Sequence, residues 1–541
     1  MNTRTRLLLV LLAGLLALAA CSRPNEAAPV AGVVAASTAP SAPEPAVNPA
    51  ATTTPKGIAW KPAASDADVD AAFAQAKTEG KPVFLYWGAT WCPPCNQVKA
   101  TLFNRQDFIE RSRAFVPVYI DGDSPGAQKL GTRFKVRGYP TMVLFNATGD
   151  ELTRLPGEVD AQQYTQVLTL GMNAQRPVKA VLAEARAGSK GLTANDWKLL
   201  AFYSWETDEQ QVVPKQGLPA VLKQLAARCP QDAEGTDTRL FLKAWAASDA
   251  KAASPDAAAR ERLLAVLRDA EPSRVHMDVL TNNAVELTHA LSAAKTPQRK
   301  QLLEVFDASL AGLANDATLS RADRLTALIA RAQLAHIDAP KNAKPSVPQA
   351  LLTDVREQVA RVDRETTDGY ERQAVITTAA DLLEEAGVPE ESDALLKANL
   401  AKSHSPYYLM LGLAANAKKR GDKPEALRWY EEAFNRSEGP ATRLQWGATY
   451  VSALLDLAPQ DEARIEKAVQ QLFSEAGAQP NAFYERSARA MQRVGGKLAA
   501  WQPGHGAVVK RLKMQLDSVC RQLPADDAQR GVCEGVFKPV A

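Results

Sequence analysis

Histidine is scarce in this sequence, and its scarcity limits the metal chemistry that the cysteines could support. The chain has five histidines among 541 residues. The first of them, His276, lies far downstream of the close-spaced cysteines Cys92 and Cys95. A zinc site built on such a pair needs two further Cys or His ligands, commonly a second close pair. The sequence has no second pair of this kind, so we predict neither a metal site nor a cofactor.

A strong excess of charge of either sign is also absent. The formal net charge is +3 over 541 residues, which gives no electrostatic case for nucleic acid as a partner. The chain has no glycine-rich phosphate loop, no Ser-His-Asp order and no paired-carboxylate motif in a usable context. These absences leave the cysteines as the residues with the clearest chemistry.

The most informative segment runs from Tyr86 to Cys95 and reads Tyr-Trp-Gly-Ala-Thr-Trp-Cys-Pro-Pro-Cys. The apolar run Lys81–Trp87 predicts a β-strand, and Asn96–Phe103 predicts the start of a helix. A thiol at a helix start is favoured as the thiolate, and a thiol one turn later can resolve a mixed disulfide. We therefore predict Cys92, the more exposed of the two, as the nucleophile and Cys95 as the resolving cysteine.

This segment resembles a thioredoxin active site, and residues further along the chain extend the resemblance. Thioredoxins have a cis-proline about 45 residues after the second cysteine, and Pro140 stands at that place within Gly138–Thr141. The resemblance implies a cis Tyr139–Pro140 bond and a substrate groove formed by Trp91, Tyr139 and Pro140. The backbone exposed beside a cis-proline can pair with an extended peptide of a client protein.

The predicted elements follow the thioredoxin order. They are a helix over Asp66–Thr78, strands over Phe115–Ile120, Met142–Phe145 and Glu151–Leu155, and a helix over Asp160–Met172. The resemblance covers roughly residues 57–175 and points to the branch with thioredoxin-like lipoproteins and the C-terminal domains of thiol–disulfide interchange proteins. It implies an α/β fold, with a central mixed sheet flanked by helices.

Two positions depart from the family pattern. Thioredoxins place a buried acid six residues before the first cysteine, where this chain has Tyr86, and a lysine on the following strand, where it has Pro117. The usual proton relay to the second cysteine is therefore missing or rebuilt. The Pro93-Pro94 dipeptide carries no charge and no donor that would stabilise a thiolate, which favours a reductant or electron carrier over an oxidant.

The N-terminus predicts a lipid anchor. Residues 1–20 have a positive start and an apolar stretch, Leu7–Leu18, that is too short to span a membrane comfortably. Leu18-Ala19-Ala20-Cys21 matches the bacterial lipobox, which implies a signal peptide and lipidation of Cys21. Ser22 favours the outer membrane, with the protein facing the periplasm. Residues 21–56 then form an Ala/Pro-rich linker, which cannot bury a core.

The remaining cysteines fit an oxidising compartment. Cys520 and Cys533 bracket a short loop, and we predict a structural disulfide between them. Cys229 is left over and is predicted to be a buried thiol, although its pairing with one of the two terminal cysteines stays open.

Residues 176–541 change in character and predict an all-α region. Apolar residues at i, i+3, i+4 spacing recur in stretches without strand-like runs, for example Pro255–Ala270, Asn282–Ala294, Thr296–Leu313, Arg321–His336 and Gln349–Val362. A 34-residue period relates Gly387 to Gly421 and Leu396 to Tyr430. With Ala426 and Ala433 this resembles a tetratricopeptide repeat, whose stacked helix pairs bind proteins on a concave face.

Together these features predict a thiol–disulfide oxidoreductase of the bacterial envelope. Its expected partners are client proteins with disulfides and a membrane or periplasmic thiol–disulfide electron donor. Two alternatives stay open. The protein could be an envelope scaffold in which the helical repeats are the working part, or it could be a disulfide isomerase.

Overall fold

The computed structural model describes residues 57–538, apart from 137, 156, 158–159, 175, 189–190, 206, 209–211, 232–233, 249–255 and 341–342. The predicted signal peptide, Cys21 and the linker lie outside the described residues. Within the described residues, no helix is both long and apolar enough to cross a membrane.

A five-stranded mixed sheet forms the centre of the N-terminal part. Its strands are β1 Lys61–Pro62, β2 Val83–Gly88, β3 Val116–Asp121, β4 Thr141–Phe145 and β5 Glu151–Leu155. Their spatial order is β1-β3-β2-β4-β5. Strands β1, β3 and β2 run parallel, whereas β4 is antiparallel to both β2 and β5. This arrangement confirms the predicted α/β fold with a mixed sheet.

Both faces of the sheet are buried. Successive side chains of a strand point to opposite faces, and in β2 both sets of side chains are buried. Phe84 and Tyr86 of β2 pack into one apolar cluster, while Leu85 and Trp87 pack into another on the opposite face. The helices that cover these faces are α1 Asp66–Glu79, α2 Pro93–Val98, α3 Gln106–Arg111, α4 Ala127–Phe134 and α5 Ala161–Met172. A short π-helical turn over Lys99–Phe103 follows α2.

Helix α1 shows how local sequence sets these boundaries. Ser65 and Asp68 form a reciprocal capping box at its start, which satisfies backbone donors that the helix leaves unpaired. Gly80 ends the helix with a φ of 63°, in the left-handed conformation that glycine adopts most easily.

The rest of the described chain is helical, as the sequence predicts. The first helices of this region are α6 Val178–Ala187, α7 Ala194–Phe202, α8 Leu218–Arg228, α9 Thr236–Ala246, α10 Ala257–Arg268, α11 Ala270–Val275, α12 Met277–Asn282 and α13 Ala284–Leu291. The next are α14 Pro297–Asn315, α15 Arg321–Ala335, α16 Gln349–Glu365, α17 Gly369–Glu385, α18 Pro389–Asn399 and α19 Pro406–Arg420. The last are α20 Lys423–Arg436, α21 Pro440–Leu457, α22 Glu462–Gly477, α23 Glu485–Gln522 and α24 Ala528–Glu534.

The 34-residue period corresponds to two helix pairs. Helices α17 and α18 are joined through Gly387, and helices α19 and α20 are joined through Gly421, each glycine with a φ of 80°. Ala426, Tyr430 and Ala433 lie on the buried side of α20. Each repeat of the sequence pattern is therefore one helix–turn–helix unit.

The cysteines of the helical region are placed as follows. Cys520 in the last turn of α23 forms a disulfide with Cys533 in α24, with a Cα–Cα distance of 5.6 Å. Cys229, which follows α8, lies outside both disulfides and is half-buried rather than buried as the sequence predicts. It ends a helix beside the exposed Pro230, where the chain leaves the apolar core.

Candidate active site

Cys92 and Cys95 are joined as a disulfide at the start of α2, with a Cα–Cα distance of 5.2 Å. Cys92 is the N-cap residue, and its Sγ accepts a hydrogen bond of 3.2 Å from the Cys95 backbone N–H. Pro93 and Pro94 occupy the first two helical positions, where the N–H that proline lacks would have no intrahelical partner. The motif is thus compatible with helix initiation, and it puts both sulfurs on one turn.

The cis-proline loop lies beside this turn. The Tyr139–Pro140 peptide bond is cis, and the Tyr139 ring stands edge-on to the Trp91 ring at a centroid distance of 6.0 Å. Trp91 and Tyr139 are therefore in contact, and Pro140 follows Tyr139 in the chain.

Both cysteines are buried, and Cys92 is only slightly the more exposed of the two. Only 2% of Cys92 and none of Cys95 is accessible, and Trp91 is 8% exposed. These residues belong to the same apolar core as the helices from α9 to α24. The burial arises because the helical region packs on the turn that contains Cys92 and Cys95, which we call the redox turn. This packing joins segments that are distant in the chain, so local sequence does not predict it.

Aromatic side chains of the helical region enclose Trp91. Tyr408 of α19 stacks on its ring at 5.7 Å, and Trp446 of α21 meets it edge-on at 4.8 Å. The Arg486 guanidinium of α23 lies over the Tyr139 ring at 4.6 Å and over the Trp91 ring at 5.7 Å. The surface formed by Trp91 and Tyr139 is therefore an interface between the thioredoxin-like domain and the helical region.

A hydrogen-bonded chain ties this interface together. The Trp91 Nε1–H donates to Thr442 Oγ1 at 2.7 Å, and the Thr442 hydroxyl donates to Asp123 Oδ2 at 2.6 Å. The Thr442 backbone N–H donates to the other Asp123 oxygen at 2.7 Å. Burial raises the pKa of Asp123 to about 6, although the hydrogen bonds from Thr442 act in the opposite direction.

Asp123 acts as the N-terminal cap of α21, although it belongs to the sheet domain. The N-cap residue of α21 is Gly439, which has no side chain to accept from the free N–H groups at the helix start. A Cβ at Gly439 would lie 2.4 Å from the Asp123 carboxyl carbon, so only glycine leaves room for this approach. The start of α21 is thereby attached to the loop after β3.

Further polar contacts surround this interface. The backbone N–H of Arg486 donates to Gln128 Oε1 at 3.1 Å, and Gln97 Nε2 donates to Asp323 Oδ1 at 2.8 Å. The Gln373 amide donates to the Trp91 carbonyl at 3.4 Å. Sequence reasoning missed the partners Asp323, Gln373 and Arg486, because more than two hundred residues separate each of them from its partner near the cysteines and they belong to no motif.

A cavity of about 190 Å³ lies between α2 and the helical region. Pro93, Pro94 and Gln97 form its wall on the side of the redox turn, and Asp323, Asp381 and Tyr408 face them from α15, α17 and α19. Burial raises the pKa of both aspartates.

The position of the family's buried acid contains no carboxylate. Tyr86 is buried in β2, and its hydroxyl has no hydrogen-bond partner among the described residues. Burial raises the pKa of Tyr86 well above its usual range. Pro117 pairs with Phe84 in the neighbouring strand, so neither position supplies a group that could move a proton at neutral pH. Within the described ranges, no cluster of three or more His, Cys, Asp or Glu residues could hold a metal ion.

Comparison with known proteins agrees with this geometry. Residues 69–171 match the family model of a thioredoxin-like domain. The chain is 32% identical over 106 residues to the thiol:disulfide interchange protein DsbD 1 of Pseudomonas aeruginosa, covering 19% of this chain and 18% of that protein. It is 33% identical over 112 residues to DsbD of Klebsiella pneumoniae, covering 20% and 18%, and 32% identical over 118 residues to DsbD of Yersinia pestis, covering 21% and 19%.

The similarity is confined to one domain, because the chain spans about one fifth of the length of these curated relatives. Residues 69–171 are therefore a thioredoxin-like domain, similar in sequence to part of the DsbD thiol:disulfide interchange proteins and followed by a helical region.

Proposed function

We propose that this protein is a thiol–disulfide oxidoreductase and that Cys92 and Cys95 are its exchanging pair. The observation that carries the proposal is the Cys92–Cys95 disulfide next to a cis-proline within a thioredoxin-like domain. The names of the relatives, thiol:disulfide interchange proteins, agree with this reaction.

In the reducing direction, the Cys92 thiolate attacks one sulfur of a substrate disulfide. A mixed disulfide forms, the substrate S–S bond breaks, and the departing thiolate takes a proton. The Cys95 thiolate then attacks Cys92, which restores the Cys92–Cys95 disulfide and releases the second substrate thiol. Two electrons pass from the pair to the substrate, and a dithiol donor must return them. The uncharged Pro93-Pro94 dipeptide favours this direction.

The proposed place of action is the bacterial envelope. The lipobox Leu18–Cys21 supports a lipid anchor, and Ser22 supports the outer membrane with the protein facing the periplasm. The proposed partners are disulfide-containing clients, which meet the groove of Trp91, Tyr139 and Pro140, and a membrane or periplasmic thiol–disulfide electron donor.

The test uses the full chain, solubilised in detergent and equilibrated in glutathione buffers of graded potential. Mass spectrometry after alkylation measures the oxidised fraction of the Cys92–Cys95 pair. We expect a single two-electron transition for the pair, no exchange in Cys92→Ser, and trapped mixed disulfides in Cys95→Ser. Reductase activity that persists in Cys92→Ser would overturn the proposal.

A scaffold role is the second candidate, and the burial of the redox turn under the helical region favours it. In that case the thioredoxin-like domain is a structural part of the helical array. A double variant, Cys92→Ser with Cys95→Ser, separates the two functions in cells. Full rescue of a deletion strain by this variant would support the scaffold, and failure of a stably produced variant would support the oxidoreductase.

A further inference from the structure

Asn96 is a buried polar residue of the redox turn that the exchange steps above do not use. It follows Cys95 in α2, and none of its surface is accessible. Asparagine is unfavourable inside a helix, because its side chain competes for backbone hydrogen bonds. A buried asparagine in the six-residue helix α2 therefore points to a specific local role.

The Asn96 side chain binds the carbonyl groups of the two residues on either side of Trp91. Its Nδ2 donates to the Thr90 carbonyl at 2.7 Å and to the Cys92 carbonyl at 2.8 Å. The backbone N–H of Asn96 donates to the same Cys92 carbonyl at 3.0 Å. The side-chain amide has two protons and here it has two acceptors. Asn96 thus fixes the backbone of Thr90–Cys92 to α2.

The start of α2 has few N–H groups that can reach the Cys92 sulfur. An N-cap side chain ordinarily accepts from the N–H of the second or third helical residue. The second residue is Pro94, which has no N–H, and the third is Cys95, whose N–H donates to Cys92 Sγ at 3.2 Å. The N–H of Asn96 is used by the Cys92 carbonyl. Among the first four residues of α2, Cys95 therefore supplies the sole donor to this sulfur.

This single donor matters because Cys92 is buried. Only 2% of Cys92 is exposed, and burial favours the uncharged thiol over the thiolate. A hydrogen bond to a charged acceptor is stronger than one to an uncharged acceptor, and it weakens when donor and acceptor lose their alignment. The backbone of Cys92 sets this alignment, and Asn96 holds that backbone at its carbonyl.

We propose that Asn96 is a positioning residue for Cys92, which holds the Cys92 backbone so that the Cys95 N–H stays directed at the Cys92 sulfur. This role rests on the proposed function, because an exchanging Cys92 reacts as the thiolate. Asn96 itself acts only through the turn. It makes up for the N–H groups that Pro93 and Pro94 lack by keeping the remaining donor in place.

The first experiment titrates the Cys92 thiol by the ultraviolet absorbance of its thiolate. The full chain carries Cys95→Ser and Cys229→Ser, so that Cys92 is the thiol that titrates and position 95 keeps its backbone N–H. We expect Asn96→Ala to lower the acid dissociation constant of this thiol about tenfold, because the charged sulfur loses part of its hydrogen bond. Asn96→Leu fills the space of the amide without a donor and should have the same effect.

Asn399→Ala is the matched control. Asn399 is also buried, and its Nδ2 also donates to the carbonyl four residues earlier, that of Leu395, at 2.8 Å. This variant should lose stability but leave the Cys92 thiol unchanged. An unchanged thiol in both Asn96 variants, or an equal change in Asn399→Ala, overturns the positioning role of Asn96.

Pro94→Ala tests the dependence on a single donor. Alanine supplies an N–H at the second helical position, from which an N-cap side chain can accept. In this background, Asn96→Ala should lower the dissociation constant of the Cys92 thiol by less than about threefold. A tenfold effect that persists in the Pro94→Ala chain would show that Asn96 does not act through the Cys95 N–H.

Exchange of the unmodified chain with glutathione is measured in parallel. If the Cys92–Cys95 pair does not exchange with any disulfide, the proposed function fails, whatever the thiol titration shows. If the pair exchanges and both Asn96 variants leave the acidity of the Cys92 thiol unchanged, the proposed function stands and the role of Asn96 fails.

Discussion

At the scale of single residues, Thr442 links Trp91, beside the cysteines, to Asp123 in the loop after β3. Its hydroxyl accepts from Trp91 and donates to Asp123. We expect Thr442→Val to lower the free energy of unfolding by about 1–3 kcal/mol, because it leaves a buried indole N–H without an acceptor. Urea denaturation measures the change. Thr442→Ser keeps the hydroxyl and should preserve most of the stability, so equal losses in both variants would contradict this role.

The raised pKa of Asp123 predicts that the stability of the folded protein depends on pH. Burial raises its pKa from the ordinary 3.8 to about 6 in the folded chain, so the folded state binds this proton more strongly than the unfolded state does. The contribution of Asp123 to stability is therefore largest below pH 3.8 and is lost as the pH rises through about 6. The full difference corresponds to roughly 3 kcal/mol. Asp121 and Arg486 also face this carboxyl group, so the measurement needs a matched variant.

Asp123→Asn is that variant, since it cannot titrate. We expect the free energy of unfolding of the unmodified chain, relative to Asp123→Asn, to fall between pH 4 and pH 7. Denaturation at both pH values measures this difference. A difference that stays constant or increases with pH would show that Asp123 does not titrate in this way.

At the scale of elements, the two glycine turns of the helix pairs offer a matched comparison. Gly387 and Gly421 both have a φ of 80°, which costs a residue with a Cβ about 1 kcal/mol. A Cβ at Gly421 meets nothing within 4 Å, whereas a Cβ at Gly387 would lie 2.1 Å from the Pro345 carbonyl oxygen. We expect Gly421→Ala to destabilise the protein by about 1 kcal/mol and Gly387→Ala to destabilise it clearly more. Thermal unfolding of both variants tests the order, and equal losses would contradict the close approach at Pro345.

Elements were predictable from the sequence where their determinants are local. Helical spacing over Arg321–His336 predicts a helix, and the structure has one over Arg321–Ala335, because this periodicity is a local property of the sequence. The strand Glu151–Leu155, which the resemblance to thioredoxins implies, has the same bounds in the structure. The two-residue strand Lys61–Pro62 was missed, since it is defined only by its pairing with β3. The redox turn was recognisable from its cysteines, whereas Asp123, Thr442 and Arg486 come together only in the folded chain.

At the scale of the whole molecule, the thioredoxin-like domain and the helical region share one interior. Ala89, Trp91, Cys92 and Cys95 lie in the apolar core of the helices. A protein client could reach the groove only if α19, α21 and α23 move away from it. Exchange with protein substrates should therefore be limited by the rate of this movement.

The reactivity of the cysteines measures this closure directly. In the reduced chain we expect iodoacetamide to alkylate the half-buried Cys229 faster than Cys92, of which 2% is exposed. Combining Thr442→Val with Arg486→Ala removes two contacts that hold the helices on the groove. This double variant should raise the alkylation rate of Cys92 at least tenfold and leave Cys229 unchanged, as followed by mass spectrometry. Lys510→Ala, at an exposed position of α23, is the control. If Cys92 reacts equally fast in all three chains, the helical region does not limit access, and the burial of the redox turn has no kinetic consequence.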